Sequence, residues 1–206
     1  MKKIMFNDRY SLTHLVLTGK KTMTRRLIPC DACNSVLPAM HYQGSKSYDD
    51  FAIKNHSRYK VGEVVAVAQS YKTLGYDPMF CPPGHEDSLG SEKGWSNKMY
   101  VDASLCKHHI KITDVRVERL QDIPDEEIMR EGITHGIVSC VDTETGEEGD
   151  YCIIEVKKTG KTTCCINHLM YSNKRDAFKS LIDKVSGRGT WNSNPYVFAY
   201  SFTLID

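Results

Sequence analysis

Hydrophobic and polar positions along this chain follow two periods, and the switches between them mark its elements. Ile4 to Phe6 form a short apolar run. Leu12, Leu15 and Val16 then recur at helical spacing. This predicts a helix capped at Asn7 or Asp8 and running to about Thr18, with Gly19 in the left-handed position after its last turn. Lys21 to Leu27 reads as a strand that Pro29 limits, and Val64 to Ala68 as a buried strand entered through the turn Tyr59-Lys60-Val61-Gly62-Glu63. Met99 to Leu105 has strand character. His109 to Leu120 has more, and Thr113-Asp114 marks a bulge where its alternation shifts. Asp122 opens a helix, with Pro124 near its first position and Asp125, Glu126 and Glu127 in its first turn, and it ends at Arg130-Glu131-Gly132.

The C-terminal third repeats these signals. Tyr151 to Val156 reads as a strand. Ser172 or Asn173 caps an amphipathic helix whose Ala177, Phe178, Leu181, Ile182 and Val185 share one face, and Gly187 stops it. In the last strand, Tyr196 to Leu204, the row Tyr196, Phe198, Tyr200, Phe202 alternates with Val197, Ala199, Ser201 and Thr203. Short strands with a few helices predict an α+β fold with an antiparallel sheet or small barrel. The turn-rich stretches 29–58, 73–97 and 134–170 read as insertions within one domain spanning 1–206. Within the last of these, 157–170 reads as a basic connection.

Composition narrows the function classes. The 206 residues are 40% hydrophobic and 26% charged, as in ordinary globular chains. A net charge of +1 supplies no global field for nucleic acid, so any such site must be a local patch. No apolar run approaches the roughly 20 residues that span a bilayer. The N-terminus lacks the apolar stretch of a signal peptide, so the expected compartment is the cytoplasm, with no membrane partner. The eight cysteines are then expected as thiols or metal ligands rather than disulfides.

One stretch concentrates charge: Gly19-Lys20-Lys21-Thr22-Met23-Thr24-Arg25-Arg26. The plain reading is a solvated basic turn, but these cations stand out against an almost neutral chain. Glu131 breaks a second local rule, because a carboxylate in a helix's last turn faces the negative end of the dipole at a cost of ~0.3–1 kcal/mol. An exposed Glu beyond the helix end explains it simply; a carboxylate aimed at a cation across a site explains it functionally. A desolvated lysine can take the proton of a threonine hydroxyl, and a carboxylate can orient that lysine or shuttle the proton to a leaving group. Lys21 and Thr24 point to opposite faces of a straight strand, so they converge only if Lys21 sits on the turn after Gly19.

Cys30 and Cys33, with Cys81 and His85, have zinc-ligand types, but the two pairs lie far apart in the chain and leave a structural zinc open. Cys164-Cys165 with His168 is a further, sparser set. His108-His109 reads as split across a strand, one ring in and one out. Trp191 and the aromatic row of the last strand can stack bases; core packing is the ordinary reading of such a face.

The basic stretch, Tyr59-Lys60-Val61-Gly62-Glu63-Val64, the block Ile112-Thr113-Asp114-Val115-Arg116-Val117-Glu118-Arg119-Leu120-Gln121-Asp122-Ile123, Glu131-Gly132 and Trp191-Asn192-Ser193-Asn194-Pro195-Tyr196-Val197 together resemble the ASCH domain of the PUA-like superfamily, in its phage and bacterial branch. The resemblance implies a small mixed or antiparallel β-barrel flanked by helices, with a cleft for RNA or a nucleobase. One branch removes acetyl from N4-acetylcytidine, and its motif implies catalytic roles for Lys21, Thr24 and Glu131. Lys20, Arg25 and Arg26 are then candidates to grip an anionic RNA or modified nucleoside, with no cofactor required. A binding module without chemistry, or a ribonuclease, are the alternatives. The insertions depart from the amidohydrolase branch. The phage-type branch often shows an Arg-Glu pair where this chain has Ala68-Gln69, so no role is carried to that segment.

Overall fold

The structure, a computed structural model, describes residues 1–28, 46–80, 87–138, 149–158 and 165–206. Its main sheet has the order β1-β3-β4-β8-β2, formed by Lys3–Ile4 (β1), Val64–Val67 (β3), His109–Arg119 (β4), Tyr196–Leu204 (β8) and Met23–Leu27 (β2). β1 and β3 are parallel and the remaining pairs antiparallel. β8 lies between β4 and β2, and every residue from Tyr196 to Phe202 is buried. The aromatic row is therefore core, and the alternating Val197 and Ala199 are buried as well, as expected for a strand covered on both faces. The bulge expected at Thr113-Asp114 is present as a register shift between Ile112 and Asp114.

Three helices, Leu12–Leu17, Asp125–Arg130 and Lys174–Ser186, fall near their sequence signals, although the chain after Asn7 first makes a 3-10 turn at Asp8–Tyr10 and the first helix begins only at Leu12. α1 spans Leu12–Leu17 and buries Leu12, Leu15 and Val16. α2 spans Lys46–His56, α3 Tyr71–Leu74 and α4 Asp125–Arg130. α5 spans Lys174–Ser186; the Asn173 side chain caps it by accepting from the Asp176 N–H. Its Ala177, Phe178, Leu181 and Ile182 are buried, whereas Val185, expected on the same face, is exposed. A last short helix, α6 (Thr190–Ser193), buries Trp191 edge-on against Phe178 at 5.8 Å.

Several expectations change. Met99 to Leu105 forms two 3-10 turns, Lys98–Tyr100 and Ala103–Leu105, because the Asn97 and Asp102 side chains accept from N–H groups two residues on and pull the backbone into turns. The stretch 29–58 holds α2 rather than loop alone. The stretch 134–170 builds a second sheet, β5-β6-β7, from Thr134–Val138, Gly149–Lys158 and Cys165–Tyr171. Cys152 and Ile154 carry that sheet into the same core as β4 and β8. The fold is mixed α and β, but among the described residues no strand pairing closes the main sheet into a barrel, and β1 and β2 remain its edges. No helix of the described residues is long and apolar enough to cross a membrane.

The distant blocks singled out in the sequence meet at one end of the sheet. The Gln121 amide donates to the Trp191 carbonyl at 2.6 Å, and its N–H donates to Asn194 Oδ1 at 2.8 Å. Arg175 ties α5 to the same turn through the carbonyls of Gln121 and Ile123. This end therefore holds α4 and α5 against the sheet, which positions the site.

Phe202 is buried in β8 with its ring 5.6 Å from Phe6. Phe202→Ala should cost ~3–5 kcal/mol, read as a lower urea midpoint with unchanged m-value. Val185→Ala should change stability by less than about 1 kcal/mol.

Candidate active site

Gly19 ends α1 with φ +72°, a conformation glycine takes without strain. The Lys21 N–H then donates to the Leu15 carbonyl at 2.9 Å, so Lys21 sits on the turn and β2 begins only at Met23. The bend that convergence required is present. The Thr22 N–H donates to the Arg130 carbonyl at 3.0 Å and fastens this turn to the end of α4.

Glu131 is the C-cap of α4, and Gly132 follows with φ +101°. A side chain on Gly132 would be strained, and its Cβ would lie 3.0 Å from Leu12 and 3.4 Å from the Lys21 side chain. That open space lets α1 and Lys21 pack against the helix end. Lys21 Nζ donates to Glu131 Oε2 at 2.8 Å and to the Glu131 carbonyl at 2.6 Å. Arg25 Nη1 donates to Glu131 Oε1 at 2.9 Å. Both carboxylate oxygens and the helix's terminal carbonyl are thus answered by cations, which offsets the unfavourable dipole.

The cluster extends beyond the residues first singled out. Arg25 also donates through Nε to Glu118 at 2.6 Å and through Nη2 to Glu127 at 2.5 Å, and its side chain is 0% exposed. Arg116 joins at Glu127 Oε1, 2.6 Å away. Sequence signals for these partners existed. Glu127 lies four residues before Glu131 on the same helix, and Arg116 and Glu118 flank Val117 on the opposite face of β4.

Burial draws the Lys21 amine below the usual lysine range; Glu131 opposes that shift, and Arg26 and Arg25 reinforce it. Burial alone would raise the Glu131 carboxyl, but Lys21 and Arg25 outweigh it and hold the group below the usual carboxylate range. The directions are compatible, because Arg25 holds Glu131 down alongside Lys21.

Lys21, Thr24 and Glu131 line one cleft of about 270 Å³, with Phe6 and Leu12 from the N-terminal segment and Phe178, Leu181 and Ile182 from α5. Thr24 is buried, and its hydroxyl makes no hydrogen bond among the described residues. The structure therefore places the three expected catalytic residues on the lining of one cleft; among the described residues the Lys21 amine bonds Glu131 and not the Thr24 hydroxyl.

The three expected grip residues divide. Lys20 is exposed on the turn and does not line this cleft. Arg25, expected to hold an anionic substrate, is instead saturated by three carboxylates within the protein. Arg26 lines the cleft, donates through Nη2 to the Met5 carbonyl, and lies 5.7 Å from the centre of the Phe6 ring. Its Nε is buried without a partner, and no carboxylate pairs with it among the described residues.

The metal candidates Cys30, Cys33, Cys81 and His85 lie outside the described residues. Among the described residues no group of three or more His, Cys, Asp and Glu could hold a metal ion. His108 and His109 do not split across the sheet: both are half-buried, with Nδ1 3.5 and 3.6 Å from Asp206 Oδ2, because β4 begins only at His109 and the Asp206 side chain lies beside both rings.

Glu131→Gln should destabilise the fold by about 3 kcal/mol, since it leaves Lys21 buried without its counter-charge. The pH dependence follows from the depressed Glu131 carboxyl. Its stabilisation is present above the unfolded value of about 4.3 and is lost as pH falls through the lower folded value. Urea midpoints measured from neutral to acid pH should fall steeply for the wild type and less steeply for Glu131→Gln.

Comparison of the chain with family models, characterised proteins and solved structures finds no match.

Proposed function

We propose that this ASCH-like, PUA-like chain binds RNA or a modified nucleoside in the cleft and hydrolyses an acyl amide on a modified cytidine of the N4-acetylcytidine type. One observation carries the reading: a buried lysine amine, drawn down by desolvation and held by a carboxylate, shares a cleft with a threonine hydroxyl that has no partner among the described residues. A threonine needs an adjacent base to become a nucleophile, and a neutral lysine is one such base.

In this scheme the neutral Lys21 amine takes the Thr24 hydroxyl proton as Oγ1 attacks the amide carbonyl. The tetrahedral species collapses by breaking the carbon–nitrogen bond, and the Lys21 ammonium returns the proton to the departing cytosine nitrogen. Water then hydrolyses the acyl-threonine ester and releases the carboxylic acid. Glu131 acts here by positioning Lys21. Both its oxygens are occupied and its carboxyl is held ionised, so it is a poor proton carrier and a good tether. A purely binding role in the same cleft is favoured by a different feature, the unpaired Nε of Arg26.

Purified protein incubated with N4-acetylcytidine should release cytidine, with a rate that rises with pH as Lys21 is deprotonated through its lowered pKa. Lys21→Ala and Thr24→Val should each lower kcat by ~10²–10⁴-fold. Thr24→Val should keep stability within about 1 kcal/mol, and Thr24→Ser should restore part of the rate. Absence of cytidine release by the wild type, or equal turnover by Lys21→Ala, would rule the reaction out. If the protein only binds RNA, affinity should fall steeply with salt and weaken in Arg26→Ala without any product forming.

A further inference from the structure

A second cleft, of about 510 Å³, opens on the other side of Met5, Arg26 and Leu27, three residues that line both spaces. Its chemistry differs from that of the first. Arg26, Arg58, His56 and Lys3 line it, and none of the described lining residues is acidic. Arg58 is exposed; its carbonyl accepts from Lys2 Nζ, but its guanidinium has no ion-pair or hydrogen-bond partner among the described residues and lies 5.7 Å from the centre of the Tyr59 ring. Lys3 is less available, because Nζ donates to the Lys98, Met99 and Val101 carbonyls.

The floor is aromatic, and its polar tips are already satisfied. The Tyr59 hydroxyl donates to the Lys3 carbonyl at 2.9 Å, and the Tyr200 hydroxyl pairs with Ser57 Oγ at 2.9 Å. Phe198 adds an edge with no polar atom. At the rim, Met5, Leu27 and Met99 are exposed apolar side chains. These exposed apolar side chains give adaptable contacts to a nucleoside, and free guanidinium donors accept a phosphate. A space lined by cations, with no carboxylate among the described residues and an apolar rim, therefore fits the phosphate-bearing part of a nucleotide.

We infer that this second cleft binds the phosphate-bearing neighbour of a nucleoside held beside Lys21 and Thr24, so that the ligand is a nucleotide rather than a free nucleoside. Arg26 forms the wall between the two subsites, and Arg58 supplies the second guanidinium. The inference rests on the reading of the first cleft as a nucleoside site.

The test is calorimetric titration at low salt of the full chain, wild type and Arg58→Ala, with cytidine, cytidine 5′-monophosphate, cytidine 3′-monophosphate, the dinucleotide CpC and inorganic phosphate. At least one phosphorylated ligand should bind wild type about tenfold or more tighter than cytidine, the scale of a charge-assisted contact. Arg58→Ala should bring that ratio close to one while its thermal unfolding stays that of wild type. Tightest binding of CpC assigns the phosphate to an RNA strand, and tightest binding of a monophosphate assigns it to a free nucleotide. Equal binding of cytidine and every phosphorylated ligand overturns the inference. So does inorganic phosphate binding as tightly as the nucleotides, or an undiminished phosphate preference in Arg58→Ala. The two readings fail separately. Phosphate preference without cytidine release from N4-acetylcytidine retires the hydrolase, whereas cytidine release without phosphate preference retires the second subsite.

Discussion

The structure depends on one buried carboxylate, Glu131, held between the Lys21 amine and the Arg25 guanidinium. Taking three charges out of water is costly, and attraction recovers that cost only where geometry is good and the remaining donors and acceptors are paired. Here Glu118 and Glu127 complete the requirement by occupying the rest of Arg25. The cluster joins β2, β4, the end of α4 and the turn after α1. It therefore specifies how these four pieces sit together more sharply than apolar packing alone, which tolerates many arrangements of similar volume.

The same cluster separates three kinds of cation. Arg25 is neutralised inside the protein and keeps Glu131 charged. Lys21 is desolvated and leans on Glu131 through Nζ while facing the cleft. Arg26, one residue beyond Arg25, has no carboxylate partner among the described residues and retains an unpaired Nε. A basic motif thus contains a structural charge, a titratable amine and a charge open to a ligand. Electrostatic character that is absent from the whole chain, with its net +1, is created locally by uneven pairing.

Much of this was legible in the sequence, for identifiable reasons. β8 and α5 were read nearly to the residue because their apolar periods are long and bounded by Asn194-Pro195, Asn173 and Gly187. Glu131 stood out because it violates the dipole preference, and Gly19 announced the bend that frees Lys21 from the strand. The ion cluster around Arg25 was not legible: strand alternation says which residues share a face, but not that Glu118 from β4 and Glu127 from α4 approach the same guanidinium. The second sheet was missed because β7 has a short, weak alternation; Leu169 is half-buried between the exposed His168 and Met170. The turns at 98–105 were misread because Asx side chains compete with strand pairing in an otherwise β-like composition.

The pairing of Arg25 with Ala199 and of Arg26 with Phe198 has a consequence for how the basic motif encodes its roles. Two adjacent arginines are chemically identical, and neither composition nor charge tells them apart. Only the phase of β2 against β8 makes one a buried keystone and the other a cleft wall. Sliding β2 by a single residue would exchange them, and would also carry the Thr24 hydroxyl to the opposite side of the sheet. The division of labour in Thr24-Arg25-Arg26 is therefore stored in hydrogen bonds of the backbone, and β8, buried from Tyr196 to Phe202, is the template that reads it out.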